Sequence, residues 1–515
     1  MIKFLYIQIL AILLSIHAPL LSAQSSVWKD SLRYRLDVVA TAATEGVSPL
    51  WLVSNRHGLS TLHDASGYLR LGVESGRVAI GHSNWLFSGG ADLVLPVNHF
   101  TESPTTGKQR TSFLVQQLYA DVEYKHLRLS LGTKERSMEM KNQRLSSGSQ
   151  TFGINARPVP QLRLEIPEYW NLVGGETPWL AVKGHFGYGC FTDGSWQGRY
   201  VAADERYAKG TLLHTKAGYV RVGNSKVFPL VFEGGLEMAT QFGGTIYNPW
   251  SRVGRYGDKL EMGTDFLDFV HVIAGMGKDE TDGNYINAAG NTVGSWLFSL
   301  KYHGKDWTLK AYYDHYFEDH SMMFFQYGWL DGMMGLELTL SKNKWLSSIV
   351  YEHLRTTFQG GPVYHDHTAE IRDQISGCDN YYNHNLYPGW QHWGQAIGNP
   401  FYTSPLYFND GQIAFKSNRF TAHHIGIEGR PLRGVDYRIL LSYAEHLGTY
   451  GLPYVDRKYM TSGLFELSYN FEHVTALRNK GMIASFSFAF DSGEQLGRNR
   501  GAMLTLRKRG FLFKK

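Results

Sequence analysis

The 515-residue chain has only two cysteines, Cys190 and Cys378, which excludes a disulfide-stapled secreted scaffold. No basic block stands out, and 51 basic against 46 acidic side chains leave a net charge of only +5. A nucleic-acid binder is thereby disfavoured, because nothing supplies a phosphate track. Beyond residue 23 there is no apolar run of about 18 residues, so no helix is long and apolar enough to span a bilayer. No Pro/Ser linker divides the chain into domains, and no repeat of propeller length stands out. The Gly-x-Ser-x-Gly elbow, the Walker loop, the Gly-x-Gly-x-x-Gly fingerprint and His-Glu-x-x-His are all missing. What is abundant is glycine, at 56, and aromatic residues, at 31 Tyr, 28 Phe and 13 Trp. That profile leans towards β structure.

Residues 1–23 read as a secretory signal. Lys3 gives a positive start, Phe4 to Ile16 an apolar stretch too short to span, and Leu21-Ser22-Ala23 a cleavage end. The expected mature unit is therefore exported, as one domain over residues 24–515. In an oxidising compartment a Cys190–Cys378 disulfide is geometrically open but not fixed by sequence.

Period-2 alternation recurs along the chain. Leu118, Ala120, Val122 and Tyr124 share one face, and after Lys125-His126 the face resumes with Leu127, Leu129 and Leu131, which predicts a hairpin. The pattern returns in Trp307 to Tyr313, Leu336 to Leu340, Val435 to Tyr443 and Ala484 to Phe490. A soluble sandwich or propeller and a membrane barrel both produce half-apolar antiparallel strands. Export, aromatic strand ends and mid-strand Arg128, Lys310 and Glu337 favour a transmembrane all-β barrel with a wet lumen. Short turns such as Lys342-Asn343-Lys344 alternate with long loops, the longest at 365–412. Residues 264–276 break the rule: Phe266, Phe269, Val270 and Ile273 fall at helical spacing, predicting a barrel-associated helix packed on a rim. The last strand is expected to end near Arg507.

Candidate chemistry is sparse. His365-Asp366-His367 has ligand types on one strand face, but hydrogen bonding in a loop or lumen accounts for them better than a metal. Glu318-Asp319 would be half of a glycosidase pair, yet adjacent acids on a strand point to opposite faces. No metal, cofactor or catalytic residue is assigned. The informative region is the 365–412 loop and the residues just after it. Aromatic rings pack on the C–H face of a sugar, and amides, carboxylates and imidazoles bond its hydroxyls. The candidate glycan-binding set is Asn380, Tyr381, Tyr382, Asn383, His384, Trp390, His392, Trp393, Asp410 and Arg419. The same aromatics could equally form the loop's own small core, and both roles can coexist.

An ordered set of short blocks carries a family likeness. Trp51 to Arg56, Gly67 to Arg70, Asn155 to Pro158 and Ile166 to Tyr169 come first. Tyr316 to Ser321 with Asp331-Gly332, Gly377 to His384, Gly389 to His392 and Ile397 to Pro400 follow. Ser404-Pro405, Asn409 to Gly411, Asn418-Arg419 and Ala422 to His424 complete the order. Together they resemble the Wzi family of outer-membrane capsule-assembly proteins. The resemblance implies an antiparallel barrel of about 18 strands with a small helical periplasmic portion and an occluded lumen. It further implies a monomeric surface lectin in the Gram-negative outer membrane that holds capsular or exopolysaccharide, with no cofactor and no catalysis. A diffusive or saccharide-selective porin fits the alternation as well, with the long loop as a constriction. An outer-membrane enzyme has the least support.

Overall fold

The computed structural model describes residues 31–79, 83–104, 106–251, 254–255, 257–274, 290–318, 323, 330–365, 375–474 and 481–513. Residues 1–23, Asp319, His320, Asp366 and His367 lie outside them, and so do the signal-sequence and His-Asp-His readings.

Eighteen antiparallel strands close into a barrel. They are β1 Leu32–Val47, β2 His63–Ser75, β3 Trp85–Val97, β4 Leu114–Tyr124, β5 Leu127–Thr133 and β6 Gln161–Val173. Next come β7 Leu180–Cys190, β8 Leu212–Val222, β9 Leu230–Phe242, β10 Asn291–His303, β11 Trp307–Glu318 and β12 Gly332–Leu340. The remainder are β13 Ser348–Arg355, β14 Phe420–Leu432, β15 Val435–Gly448, β16 Pro453–Asn470, β17 Met482–Ser492 and β18 Asn499–Phe511. Closure comes from β1, which pairs with β2 on one side and with β18 on the other, from Arg33↔Phe511 to Ala43↔Gly501. Closing the sheet removes every edge that would leave backbone groups unpaired in lipid. The last strand thus runs to Phe511, beyond the expected end at Arg507.

The alternation faces outward. On β17, Phe486 and Phe488 are exposed while Ser487, Ala489 and Asp491 are buried in the lumen. Mid-strand charges turn inward and pair there: Arg128 bonds Glu123 at 2.8 Å and Glu165 at 3.2 Å, and Lys310 pairs with Glu337. Such an inside-out pattern suits a barrel with an apolar lipid face and a polar interior. Eight of the seventeen strand connections lie at the end carrying the termini, the shortest of them two-residue turns. Lys125-His126 joins β4 to β5 with Lys125 at φ 54°, and Arg433-Gly434 joins β14 to β15 with Gly434 at φ 79°.

Long connections gather at the other end, and by the rule of short periplasmic turns and long outer loops this is the outward end. Among the described residues the three α-helices, α1 Leu50–Val53, α2 Gly194–Tyr200 and α3 Phe266–Ala274, lie in these long connections. At the turn end the described residues hold one short 3-10 helix, Phe471–His473. Within the expected 264–276 window α3 spans Phe266–Ala274 and packs on the barrel's outer wall near the loop-end rim, on Tyr188, Lys216 and Phe242. Cys190 is a free thiol at the end of β7.

Candidate functional site

Three connections turn inward instead of outward. Residues 48–62 after β1, 134–160 after β5 and 379–419 before β14 fill the lumen as a plug. Their packing has an apolar centre. Trp51, Leu145, Tyr381, Tyr382, Trp390, Phe401, Tyr402 and Phe415 are buried in one cluster with Val39, Leu213, Ala239, Val293, Tyr312, Met333, Val350, Phe420, Leu440, Leu464, Ala489 and Met503 of the wall. Those wall residues come from twelve of the eighteen strands, so the plug contacts most of the circumference.

Aromatic geometry makes this centre specific. Tyr382 stacks on Tyr402 at 3.8 Å and meets Tyr316 and Phe415 edge-on at 5.5 and 5.2 Å. Such arrangements match ring quadrupoles as well as filling space. Tyr382 also donates its hydroxyl to the Gln150 carbonyl and accepts from the Asn399 backbone N–H at 2.9 Å. Burial pushes its phenol well above the usual range, so it stays protonated and able to donate. The Trp390 indole N–H reaches the Thr151 carbonyl at 2.9 Å, tying the late loop to the earlier one.

Polar clamps complete the attachment. Glu352 of β13, buried in the wall, accepts from the Ser146 hydroxyl (2.5 Å), the Ser147 N–H (2.7 Å), the Ser147 hydroxyl (2.5 Å) and the Tyr312 hydroxyl (2.5 Å). Lys141 pairs with the buried Asp314 at 2.6 Å. On the opposite side the lumen is polar. Arg70 of β2 holds Asp92 and Glu135, and Gln116 adds a 2.9 Å bond to Glu135. A cavity of about 110 Å³ lies along this side, bordered by Arg136, Arg163, His185 and Trp390. A wider space of about 530 Å³ opens at the turn end beside Arg35, Glu74 and Arg509.

The ten candidate glycan residues fall in two groups. Tyr381, Tyr382 and Trp390 are 0% exposed and His392 is 1% exposed, so their faces are closed by other side chains. They build the plug's core and its ties. The His392 Nδ1 bonds the Arg157 carbonyl at 2.9 Å, and its Nε2 meets the Thr192 N–H at 3.3 Å. A carbonyl on one nitrogen and an N–H on the other require a neutral ring protonated at Nδ1. The other six reach the surface but are also engaged. Asn383 exchanges two 2.8 Å bonds with the Phe415 backbone, and Asn380 accepts from Asn383 and Asn418 at 3.0 and 2.6 Å. His384 Nδ1 accepts from the Leu386 and Tyr387 N–H groups at 3.1 and 3.2 Å. Trp393 lies under the Arg157 guanidinium at 4.7 Å, Asp410 pairs with Lys416, and Arg419 covers the Tyr450 ring at 3.8 Å.

Two features escaped the sequence reading. The plug segment 134–160 has no period of its own, although its buried Ser146-Ser147-Gly148-Ser149-Gln150-Thr151 run is short of charge for a surface loop. The other is a ring pair outside the long loop. Tyr207 and Tyr247 stack at 4.6 Å and 2° with Lys209 over both, next to the Leu386 and Tyr387 cluster. Their separation in sequence hides them until the small sheet at the loop end pairs them residue to residue. Among the described residues no group of three His, Cys, Asp or Glu side chains is placed to hold a metal ion.

No family model and no curated protein matches the chain. Solved structures do. Wzi of Escherichia coli, an outer-membrane protein involved in group 1 capsule assembly and described as a carbohydrate-binding β-barrel, aligns over 94% of this chain and 85% of its own at 12% identity and a TM-score of 0.52. OccK9 of Pseudomonas aeruginosa covers 93% and 97% at 11% identity and a TM-score of 0.47. OccAB4 of Acinetobacter baumannii covers 94% and 99% at 8% identity and a TM-score of 0.45. The fold is that of an outer-membrane β-barrel. At such identities the likeness is one of fold. Trp51, Asn155, Trp390, Asn399, Asn418 and His424 all hold the plug or its wall, as in the 3.0 Å bond from Asn155 to the Ala396 carbonyl.

Proposed function

We propose that the protein is a monomeric outer-membrane barrel that binds surface polysaccharide at its loop end and promotes the polymer's attachment to the cell. The observation that supports this reading is the plug: an aromatic core packed against residues of twelve strands makes the barrel a platform rather than an open pipe. Loops held on such a scaffold keep their surface groups in fixed positions, which lowers the ordering cost of binding. The carbohydrate binding described for Wzi agrees with it. Within the candidate set, Asn380 is exposed and Arg419 partly so, and the partly exposed Tyr207–Tyr247 stack is a further aromatic pair at the loop end. The role is binding, with no reaction assigned.

The test is a deletion strain in which polysaccharide is partitioned between cell pellet and medium. Preserved total polymer that shifts to the medium supports anchoring; an unchanged partition removes it. Complementation with Tyr207→Ala/Tyr247→Ala, and separately with Asn380→Ala/Arg419→Ala, then assigns the surface.

A porin is the second reading, and the polar half of the lumen favours it. Charged residues border both the 530 Å³ space at the turn end, with Arg35, Glu74 and Arg509, and the smaller cavity, with Arg136 and Arg163. Stable, large, ungated openings of the purified protein in planar bilayers would decide for the porin.

A further inference from the structure

Helix α3, Phe266–Ala274, is apolar on two faces at once. Its inner face lies on the barrel's outer wall. Phe269 meets Tyr188 and Phe242 edge-on, at 5.2 Å each, and its carbonyl accepts the Tyr188 hydroxyl at 2.8 Å; Val272, on the same side, is buried. Its outer face carries Phe266, Leu267, Val270 and Ile273, which are 81%, 64%, 38% and 39% exposed. Positions i, i+1, i+4 and i+7 form one continuous stripe. A helix lying on a protein surface in water shows polar residues outward, whereas one that is apolar on both sides belongs in a protein core or in lipid.

Its height on the wall agrees with lipid. Tyr188 of β7 is register partner to Leu162 of β6, an exposed residue of the apolar belt, and Leu164 and Phe186 continue that belt. From there the helix descends to Lys216 of β8, whose ammonium donates to the Ile273 carbonyl. Lys216 and His214 point out of the barrel, on the face where ionisable groups are costly. His214 is nevertheless fully buried, its ring 4.8 Å from Phe186 and 4.7 Å from Tyr188. Lys216 finds a carbonyl at the negative end of the helix. The other end is closed locally: Asp268 accepts the Asp265 N–H at 2.8 Å, a capping-box contact.

We propose that α3 is a lipid-embedded strap: its outer face contacts acyl chains of the outer leaflet, while its inner face covers the polar residues on the outer wall of β7 and β8. The strap also reaches the plug. Four residues before it, Met262 bonds the Gly244 carbonyl at 2.8 Å and packs with Leu260 on the Ala208, Ile246, Leu386 and Tyr387 cluster. The small sheet at the loop end is thus fixed to the bilayer on one side and to the plug on the other. The inference rests on the barrel fold and is independent of polysaccharide binding.

Spin labels at Leu267→Cys and, as a second site, Val270→Cys test it, in a Cys190→Ser/Cys378→Ser background reconstituted in phosphatidylcholine vesicles. Retained heat-modifiable gel mobility shows that each labelled barrel is folded. Leu164→Cys on β6 is the lipid reference, and Val455→Cys, fully exposed near the tip of the β15–β16 hairpin, is the water reference. Relaxation by molecular oxygen several-fold above that by a water-soluble nickel chelate, as at position 164, is the expected result. Dominance of the nickel chelate, as at position 455, would place the helix in water and overturn the proposal. Protection from both reagents would mean that protein, such as a second copy, covers the stripe, and would overturn it equally.

Discussion

Glu352 shows how one side chain holds a whole segment. It is a buried carboxylate with four donors, three of them from the plug residues Ser146 and Ser147. Hydrogen bonds to a charged acceptor are worth roughly 1.5–3 kcal/mol each in favourable cases, and a donor left buried without a partner costs about 1–3 kcal/mol. Glu352→Ala is therefore expected to destabilise by about 3 kcal/mol or more and to free the 145–151 segment, read as new cleavage there in limited proteolysis with the barrel still intact. Arg144→Ala removes an exposed 2.9 Å pair with Glu428 and is expected to change stability by less than about 1 kcal/mol in the same assay. Trp390→Ala empties a fully buried ring site and loses the bond to Thr151, a loss of about 3–5 kcal/mol by denaturant midpoint. The sequence marked Trp390 as a ring available to sugar, because composition cannot tell an aromatic that faces solvent from one that faces a neighbouring loop. The partner that closes it, Thr151, is separated from it in sequence by eight of the eighteen strands, β6 to β13.

At the scale of elements, the plug is held partly by histidines that must remain neutral. Burial lowers His392, and both of its nitrogens are committed to a neutral ring; burial, with Arg206 nearby, pushes His384 down to about 3, and its Nδ1 must keep a lone pair for two N–H groups. Both are depressed below the value of about 6.5 that they regain once the segment is released. A released segment therefore binds protons that the packed one does not. These two rings leave the plug's stability unchanged above about pH 6.5 and lower it as pH drops from there towards 3. Proteolytic release of 379–419 at pH 5 faster than at pH 7.5 is the expected outcome, and His392→Gln, which can still accept and donate, should reduce that difference, His384 carrying the remainder. Strands behaved otherwise. The hairpin over Leu118 to Leu131 and the face of Phe486 and Phe488 were legible because a pleat repeats every two residues and needs no distant partner to declare itself. The direction in which a loop turns depends on contacts across the lumen, and nothing in the 134–160 run announces them.

For the whole molecule, the decisive property is whether the lumen conducts. The apolar half of the plug contacts twelve strands, yet β13 and β14 do not need it to stay paired: Ser348↔Glu428 to Arg355↔Thr421 are in register, and the Thr356 N–H reaches the Phe420 carbonyl at 2.9 Å. The two ends of the long connection are thus adjacent, and a short Gly/Ser turn can replace residues 379–417 without opening the sheet. Loop closure favours this, since shortening a connection reduces its entropic cost. What the deletion removes is Tyr381, Tyr382, Trp390, Phe401, Tyr402 and Phe415, the rings that fill the centre. The remaining 134–160 segment stays clamped by Glu352 and Asp314 against one wall. The shortened barrel is expected to show large steady openings in planar bilayers where the full chain shows none, with heat-modifiable mobility unchanged. Equal conductance from both would mean that ions already pass along the polar side by Arg70 and Arg136, and the platform reading would yield to the porin. A silent shortened barrel would instead show that 134–160 and 48–62 close the lumen by themselves, leaving the 379–417 segment free to serve the surface.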